Sequence, residues 1–129
     1  MRLLLDTHVW LWLQVSPERF SGTTLDLLAD TSNELWLSAA SCWEMAIKYA
    51  LGKLPLPAPP SEYVPSRMER SGTTALPVLP IHALMVAGLP SHHRDPFDRL
   101  LVAQAQHERV SLVTSDAVFR SYDIDIVLP

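Results

Sequence analysis

Leu3, Leu4 and Leu5 form an uninterrupted apolar run that stops at Asp6. Apolar residues at consecutive rather than alternate positions fit a strand buried on both faces, the environment of a parallel sheet covered by helices. A chain that begins this way is constrained to a layered α/β architecture, and Asp6 then stands at the strand's C-terminal end. In open α/β sheets that rim is where ligands bind.

The remainder of the chain supplies the alternation such a sheet requires. Val9 to Leu13 and Leu25 to Ala29 read as short helices, separated by Ser16-Pro17 and Gly22. Glu34 to Ser38 reads as a second strand. From Ala39 to Leu51 the apolar positions Trp43, Ile47, Ala50 and Leu51 recur at helical spacing, and Gly52 and Pro55 supply a stop. Leu54 to Pro60 carries four of the 11 prolines and reads as an ordered surface crossing rather than a domain linker. Glu62 to Arg70 fits a helix if Pro65 lies in a first turn or at a kink; Ala75 to Leu79 fits a third strand, placed at an edge by Pro77. His82 to Ala87 and Pro96 to Glu108 read as helices, then Val110 to Val113 and Ile124 to Val127 as strands around a short helix at Ala117 to Tyr122. The expected fold is a three-layer α/β/α arrangement with a mainly parallel sheet of about five strands.

At 129 residues, 48% apolar and 19% charged, residues 1–129 are expected to form a single globular domain, which excludes a disordered tail. One cysteine, Cys42, leaves no disulfide framework or CxxC zinc site, and its place in an apolar helix fits a buried structural thiol. Asp6 and His8 interrupt the apolar start before it forms a leader core, and no run approaches a membrane span. The cytoplasm is therefore the expected compartment. Ten Lys and Arg against 14 Asp and Glu give a net charge of -4, so nucleic acid is not held by bulk positive charge. Any such role must use local patches or metal ions.

Four acids have positions suited to chemistry. Asp6 and Asp116 each follow a strand, and Asp116 has the hydroxyls of Thr114 and Ser115 just before it. Each alone is as readily a helix cap. Glu44 has a structural reading too, since Ser41-Cys42-Trp43-Glu44 matches a capping box and Lys48 stands at i+4. In Asp95-Pro96-Phe97-Asp98, Asp95 suffices as the N-cap, whereas Asp98 shares a helical face with Leu101, Val102 and Ala105 and points along the core side. If Asp6, Glu44, Asp98 and Asp116 converge at one sheet edge, their repulsion calls for a cation. Oxygen-only ligands favour Mg²⁺ or Mn²⁺, which can activate water and stabilise a leaving oxygen in phosphodiester hydrolysis.

Other constellations are weaker. The four glycines build neither a phosphate loop nor a dinucleotide fingerprint. His92-His93 lack zinc-pair spacing and fit solvent or substrate contact. Asp123 and Asp125 alternate with Ile124 and Ile126 as the polar face of a strand, and Trp10, Trp12, Trp36 and Trp43 read as core or interface residues rather than base-stacking platforms. A phosphotransferase of the haloacid dehalogenase type needs a second Asp at the position of His8.

Leu3-Leu4-Leu5-Asp6-Thr7-His8-Val9-Trp10, Ser38 through Trp43-Glu44 to Gly52-Lys53-Leu54, His93 through Ala105 and Thr114-Ser115-Asp116 resemble, in that order, the PIN-domain family, specifically its VapC-type ribonuclease toxins. The likeness covers nearly the whole chain. It implies a Mg²⁺- or Mn²⁺-dependent endoribonuclease with Asp6, Glu44, Asp98 and Asp116 as the catalytic, metal-binding acids, assisted by Thr114 or Ser115. It further implies an RNA substrate, a homodimer and a cognate VapB-like antitoxin whose tail crosses the active-site groove. Asp95 is a candidate neighbour of that site, and Lys48, Arg94 and Arg99 are candidates for positioning phosphate or for a solvated face. The alternatives are a nuclease acting on DNA or in RNA processing, and a noncatalytic interaction module in which the acids are caps.

Overall fold

The computed structural model describes residues 1–129. Strands β1 (Arg2–Leu5), β2 (Glu34–Ser38), β3 (Thr73–Leu76), β4 (Ser111–Val113) and β5 (Ile126–Val127) form one sheet in the order β3-β2-β1-β4-β5. Every pairing is parallel. The helices are α1 (Thr7–Val15), α2 (Gly22–Ala29), α3 (Ala39–Ala50), α4 (Pro60–Ser71), α5 (Pro80–Met85) and α6 (Pro96–Glu108), with 3₁₀ turns at Pro17–Arg19, Val86–Gly88 and Ala117–Ser121.

The leucine run behaves as its pattern requires. Leu3, Leu4 and Leu5 are all fully buried, yet they face two different cores. Leu3 and Leu5 pack with Val9, Trp10, Met45, Tyr63 and Val64 from α1, α3 and α4, whereas Leu4 packs with Leu101, Val102 and Ala105 of α6 and with Phe119. Each such side chain contributes about 1.5–3 kcal/mol of hydrophobic stabilisation. Sheet and two helical layers thus follow from one tripeptide at the centre of the sheet.

A buried polar link braces the site's rim. Ser38, at the end of β2, caps α3 by accepting the Ala40 N–H at 3.0 Å and donates to Gln104 Oε1 at 2.5 Å. Gln104 Nε2 donates to the Pro77 carbonyl at 3.2 Å, joining α6 to the segment after β3. Helix α3 ends before Gly52, whose φ of 70° is the left-handed conformation that favours glycine there.

Several element boundaries differ from the sequence reading. Edge strand β3 begins at Thr73 and ends before Pro77, which cannot donate to a ladder and lies outside it. Pro65 falls in the second turn of α4 rather than the first, on the exposed side where the missing N–H is tolerated. The pairing of β5 is confined to Ile126 and Val127, so Asp123 and Asp125 are exposed residues of the preceding turn rather than of a strand. No helix is long and apolar enough to cross a membrane.

Candidate active site

From β1 the chain proceeds to β2 and β3 on one side of the sheet and to β4 and β5 on the other, so the strand order reverses between β1 and β4. Such a switch point opens a crevice beyond the strands' carboxyl ends. Asp6 leaves β1 and Thr114 leaves β4 at this place, and the Asp6 N–H donates to the Val113 carbonyl at 2.9 Å, keeping the two ends in register.

Asp6 is 9% exposed and has both oxygens engaged. The Thr7 N–H donates to Oδ1 at 2.7 Å, the helix-capping role, and the fully buried Thr114 hydroxyl donates to Oδ2 at 2.8 Å. Burial outweighs these bonds and pushes its carboxyl above the usual range, with the Glu44 charge adding to the rise.

Glu44 is not part of a capping box. Strand β2 runs to Ser38, so Ser38 rather than Ser41 becomes the N-cap and Glu44 sits in the second turn of α3, 7% exposed. Its Oε2 accepts from Lys48 Nζ at 2.8 Å. The Lys48 ammonium is raised above its usual range chiefly by that bond, with smaller contributions from the charges of Asp95 and Asp98.

Asp98 is the third residue of α6, half-buried, and Asp95 is the N-cap, accepting from the Phe97 N–H at 2.8 Å. The Asp98 carboxyl is pushed up to about 7, first by burial and then by the negative charges of Asp95, Asp6 and Glu44. Those couplings place three of the four expected acids, Asp6, Glu44 and Asp98, in one electrostatic neighbourhood, with Asp95 beside them.

Asp116 joins this group through two intermediaries. Its N–H donates to Thr114 Oγ1 at 3.1 Å, so the hydroxyl that binds Asp6 also fixes the turn bearing Asp116. Its Oδ1 accepts the Val118 N–H at 3.0 Å as a cap, and its Oδ2 pairs with His93 Nε2 at 2.8 Å. The histidine bond is the main reason its carboxyl lies below the usual range. No three of these acids bring carboxylate oxygens within 4.8 Å of one another. The four acids therefore do not form a closed three-carboxylate cluster.

Two residues act differently from their sequence reading. His93 does not face solvent or substrate: its side chain is 9% exposed, stacks on Phe119 at 4.4 Å, and engages Asp116 through one nitrogen and the Tyr122 hydroxyl at 3.1 Å through the other. It ties the loop before α6 to the turn after β4. Arg99 does not position phosphate, because its guanidinium donates to the carbonyls of Val86, Leu89, Pro90 and His93 and pins that loop. Nothing in the sequence marks the His93–Asp116 pair, whose members are 23 positions apart. Of the candidate cations this leaves exposed Arg94.

The donors suit a hard divalent ion. They are carboxylates with hydroxyls nearby, and two buried hydroxyls on the same elements, Thr7 Oγ1 and Ser41 Oγ, have no hydrogen-bond partner. The buried His82, with His107 and Glu108, brings ligand atoms within 4.8 Å but is a different feature. It lies near Arg2 at the opposite end of β1, and His82 Nδ1 accepts the Leu79 N–H at 2.9 Å, so Nε2 carries the hydrogen that faces Glu108 at 2.9 Å and has no lone pair for a metal.

The PIN domain family profile matches residues 3–125. Ribonuclease VapC22 of Mycobacterium tuberculosis (strain ATCC 25618 / H37Rv) is 31% identical over 121 residues, 93% of this chain and 91% of the relative. Ribonuclease VapC16 of the same organism is 49% identical over 70 residues, 53% of this chain and half the length of that relative. Among solved structures, VapBC2 from Rickettsia felis bound to a DNA fragment from its promoter superposes with a TM-score of 0.72 at 18% identity, covering 99% of this chain and 98% of that one.

Proposed function

The chain belongs to the PIN domain family, and from that premise we propose that it is a Mg²⁺- or Mn²⁺-dependent endoribonuclease, the toxin of a toxin–antitoxin pair, acting through Asp6, Glu44, Asp98 and Asp116. The observation that carries the reading is the gathering of these acids at the switch point of a parallel sheet, where burial and then the charges of Asp95, Asp6 and Glu44 raise Asp98 to about 7. A site with that excess of negative charge favours a cation over an unaided substrate. The two relatives are named ribonucleases, which supports RNA as the substrate.

In this reading Asp6 and Asp98 hold the ion, and Glu44 and Asp116 bind it directly or through waters. When bound, a divalent cation supplies activation of water and stabilisation of the leaving oxygen in hydrolysis of the phosphodiester. Thr114 orients Asp6, His93 orients Asp116, and Lys48 holds Glu44 in place. Arg94 is the cation available to meet a phosphate.

The partner reading follows from the neighbours. VapBC2 is bound to a DNA fragment from its promoter, and a toxin–antitoxin complex from Klebsiella pneumoniae shares the fold, which supports a cognate antitoxin for this chain. A homodimer completes the proposed assembly. The reading is tested by incubating the purified protein with a pool of structured RNAs and a matched DNA pool, with Mg²⁺, Mn²⁺ or excess chelator. RNA cleavage abolished by chelator and restored by added ion is the expected result. Cleavage that persists in chelator, or that is confined to DNA, contradicts it.

A further inference from the structure

Trp43 is the one tryptophan that leaves most of its surface to solvent. Trp10 is fully buried and donates its indole N–H to Thr73 Oγ1 at 3.3 Å, Trp36 is half-buried, and half-buried Trp12 lies under the Arg19 guanidinium. Trp43 is 62% exposed, so it is not the core residue that its sequence reading allowed. Its ring is nonetheless held: it meets the ring of Phe97 edge to face, with centroids 5.3 Å apart and planes at 75°. An edge-to-face pair leaves one broad indole face open while limiting the rotation of both rings.

The location of this pair gives it meaning. Trp43 immediately precedes Glu44 on α3, and Phe97 immediately precedes Asp98 on α6. Consecutive Cα atoms are about 3.8 Å apart, so the aromatic ledge starts one residue from two acids on two different elements. A phosphodiester held at those acids carries its nucleosides over the adjoining surface.

Charge favours the same occupant. The chain is net acidic, the site adds a concentration of carboxylates, Lys48 is committed to Glu44, and Arg99 is committed to backbone carbonyls. Phosphate attraction is therefore scarce where the substrate must sit, and an uncharged π face supplies affinity that carboxylates do not repel. Unpaired bases in RNA loops are commonly held by stacking on aromatic side chains.

We propose that Trp43, braced by Phe97, is the stacking platform for an unpaired base of the RNA next to the scissile phosphodiester. The proposal rests on the nuclease reading for its substrate, but its test separates the two. Binding is measured in an Asp6→Asn background with Mg²⁺, by tryptophan fluorescence and anisotropy, using a labelled single-stranded oligoribonucleotide of about 12 nucleotides, within the span such grooves cover, and an abasic strand of the same length. Adding Trp43→Ala is expected to weaken the oligoribonucleotide roughly tenfold, Trp43→Phe to retain most of the affinity, and the abasic strand to bind equally weakly with or without Trp43. Leu84→Ala, on another exposed apolar residue of α5, is expected to change nothing.

In the otherwise wild-type protein Trp43→Ala is expected to raise KM about tenfold, the same loss of stacking read in turnover, with kcat and Mn²⁺ affinity retained. Oligoribonucleotide binding that is equal with and without the Trp43→Ala substitution overturns the platform, as does absence of binding in both cases. So does a Trp43→Ala protein that binds RNA normally but has lost self-association or antitoxin binding, since the ledge is then a protein interface. Trp43-dependent binding by a wild-type protein that cleaves no RNA with either ion leaves the platform standing and removes the nuclease assignment instead.

Discussion

The Thr114 hydroxyl donates to Asp6 Oδ2 at 2.8 Å and accepts the Asp116 N–H at 3.1 Å, so one fully buried oxygen sets two acids that are 110 positions apart. This bond joins the ends of β1 and β4 where the strand order reverses, and it relates the acids whose positions most define the rim. Thr114→Val removes the donor and leaves a buried carboxylate oxygen and a backbone N–H unpaired, at a cost of about 1–3 kcal/mol. RNA cleavage is expected to fall roughly 10–100-fold, the range typical of groups that orient metal ligands. Thr114→Ser keeps both bonds and is expected to retain most activity. Thermal unfolding read alongside cleavage checks both; equal activity for Val and Ser shows that the hydroxyl does not orient the site.

The Asp98 carboxyl makes stability depend on pH in a defined direction. It is raised from 3.8 to about 7 in the fold, chiefly by burial and then by Asp95, Asp6 and Glu44. Between those values the folded chain binds a proton that the unfolded chain has released, so this group's stabilisation is full at low pH and is lost as pH rises through about 7. Asp98→Asn is therefore expected to raise the melting temperature of the metal-free protein at about pH 8 by roughly 4 °C, the shift that about 1 kcal/mol gives a domain of this size once solvent screening is allowed for. The gain shrinks as pH falls from about 7 and disappears only below the unfolded value of 3.8, where the carboxyl is protonated in both states. Added Mn²⁺ is expected to reverse the order of the two proteins under the alkaline condition. A difference that does not vary with pH shows that the carboxyl's charge is not its source.

His93 supports both the geometry and the packing of the rim. His93→Ala removes the Asp116 bond, the Tyr122 contact and a ring stacked on Phe119, and is expected to destabilise by about 2–4 kcal/mol. His93→Gln can still offer an N–H toward Asp116 and is expected to recover part of the activity at a lower stability. Measured Mn²⁺ affinity separates the effects: orientation of Asp116 predicts weaker binding in Ala than in Gln, whereas a purely packing role predicts unchanged affinity in both.

Arg99 restrains the loop that carries His93. Replacing it by Ala releases four carbonyls, at Val86, Leu89, Pro90 and His93, and is expected to speed amide hydrogen exchange selectively across residues 86–94. Lys, with a single compact ammonium, is expected to restore only part of the protection. Exchange unchanged from wild type shows that the loop is held by its packing alone.

The sequence was most readable where a residue's role depends on its immediate neighbours. Leu3-Leu4-Leu5-Asp6 announced a doubly buried strand and the acid at its end because burial on both faces leaves no polar alternation. Pro96 and Gly52 marked helix boundaries through their own backbone restrictions. Glu44 was ambiguous because either Ser38 or Ser41 can cap a helix, and only the pairing of β2 as far as Ser38 with Leu76 decides between them. His93 and Arg99 were misread, and Trp43 was left between core and interface, because their settings arise from partners brought close by the fold: Asp116, four loop carbonyls and Phe97. A single chain contains the residues of such contacts but no local pattern that pairs them.

Whether Asp6, Glu44, Asp98 and Asp116 act as one site is decided by the rate of metal-dependent RNA cleavage in four charge-removing variants. Asp6→Asn, Glu44→Gln, Asp98→Asn and Asp116→Asn are compared with Asp125→Asn, an exposed acid outside the site, each at matched folded fraction. All four are expected to lose at least about 100-fold, the scale of removing one preorganised electrostatic group, while Asp125→Asn cleaves as wild type. Full metal-dependent cleavage by Asp6→Asn and Asp98→Asn, with folding intact, would contradict a single shared site.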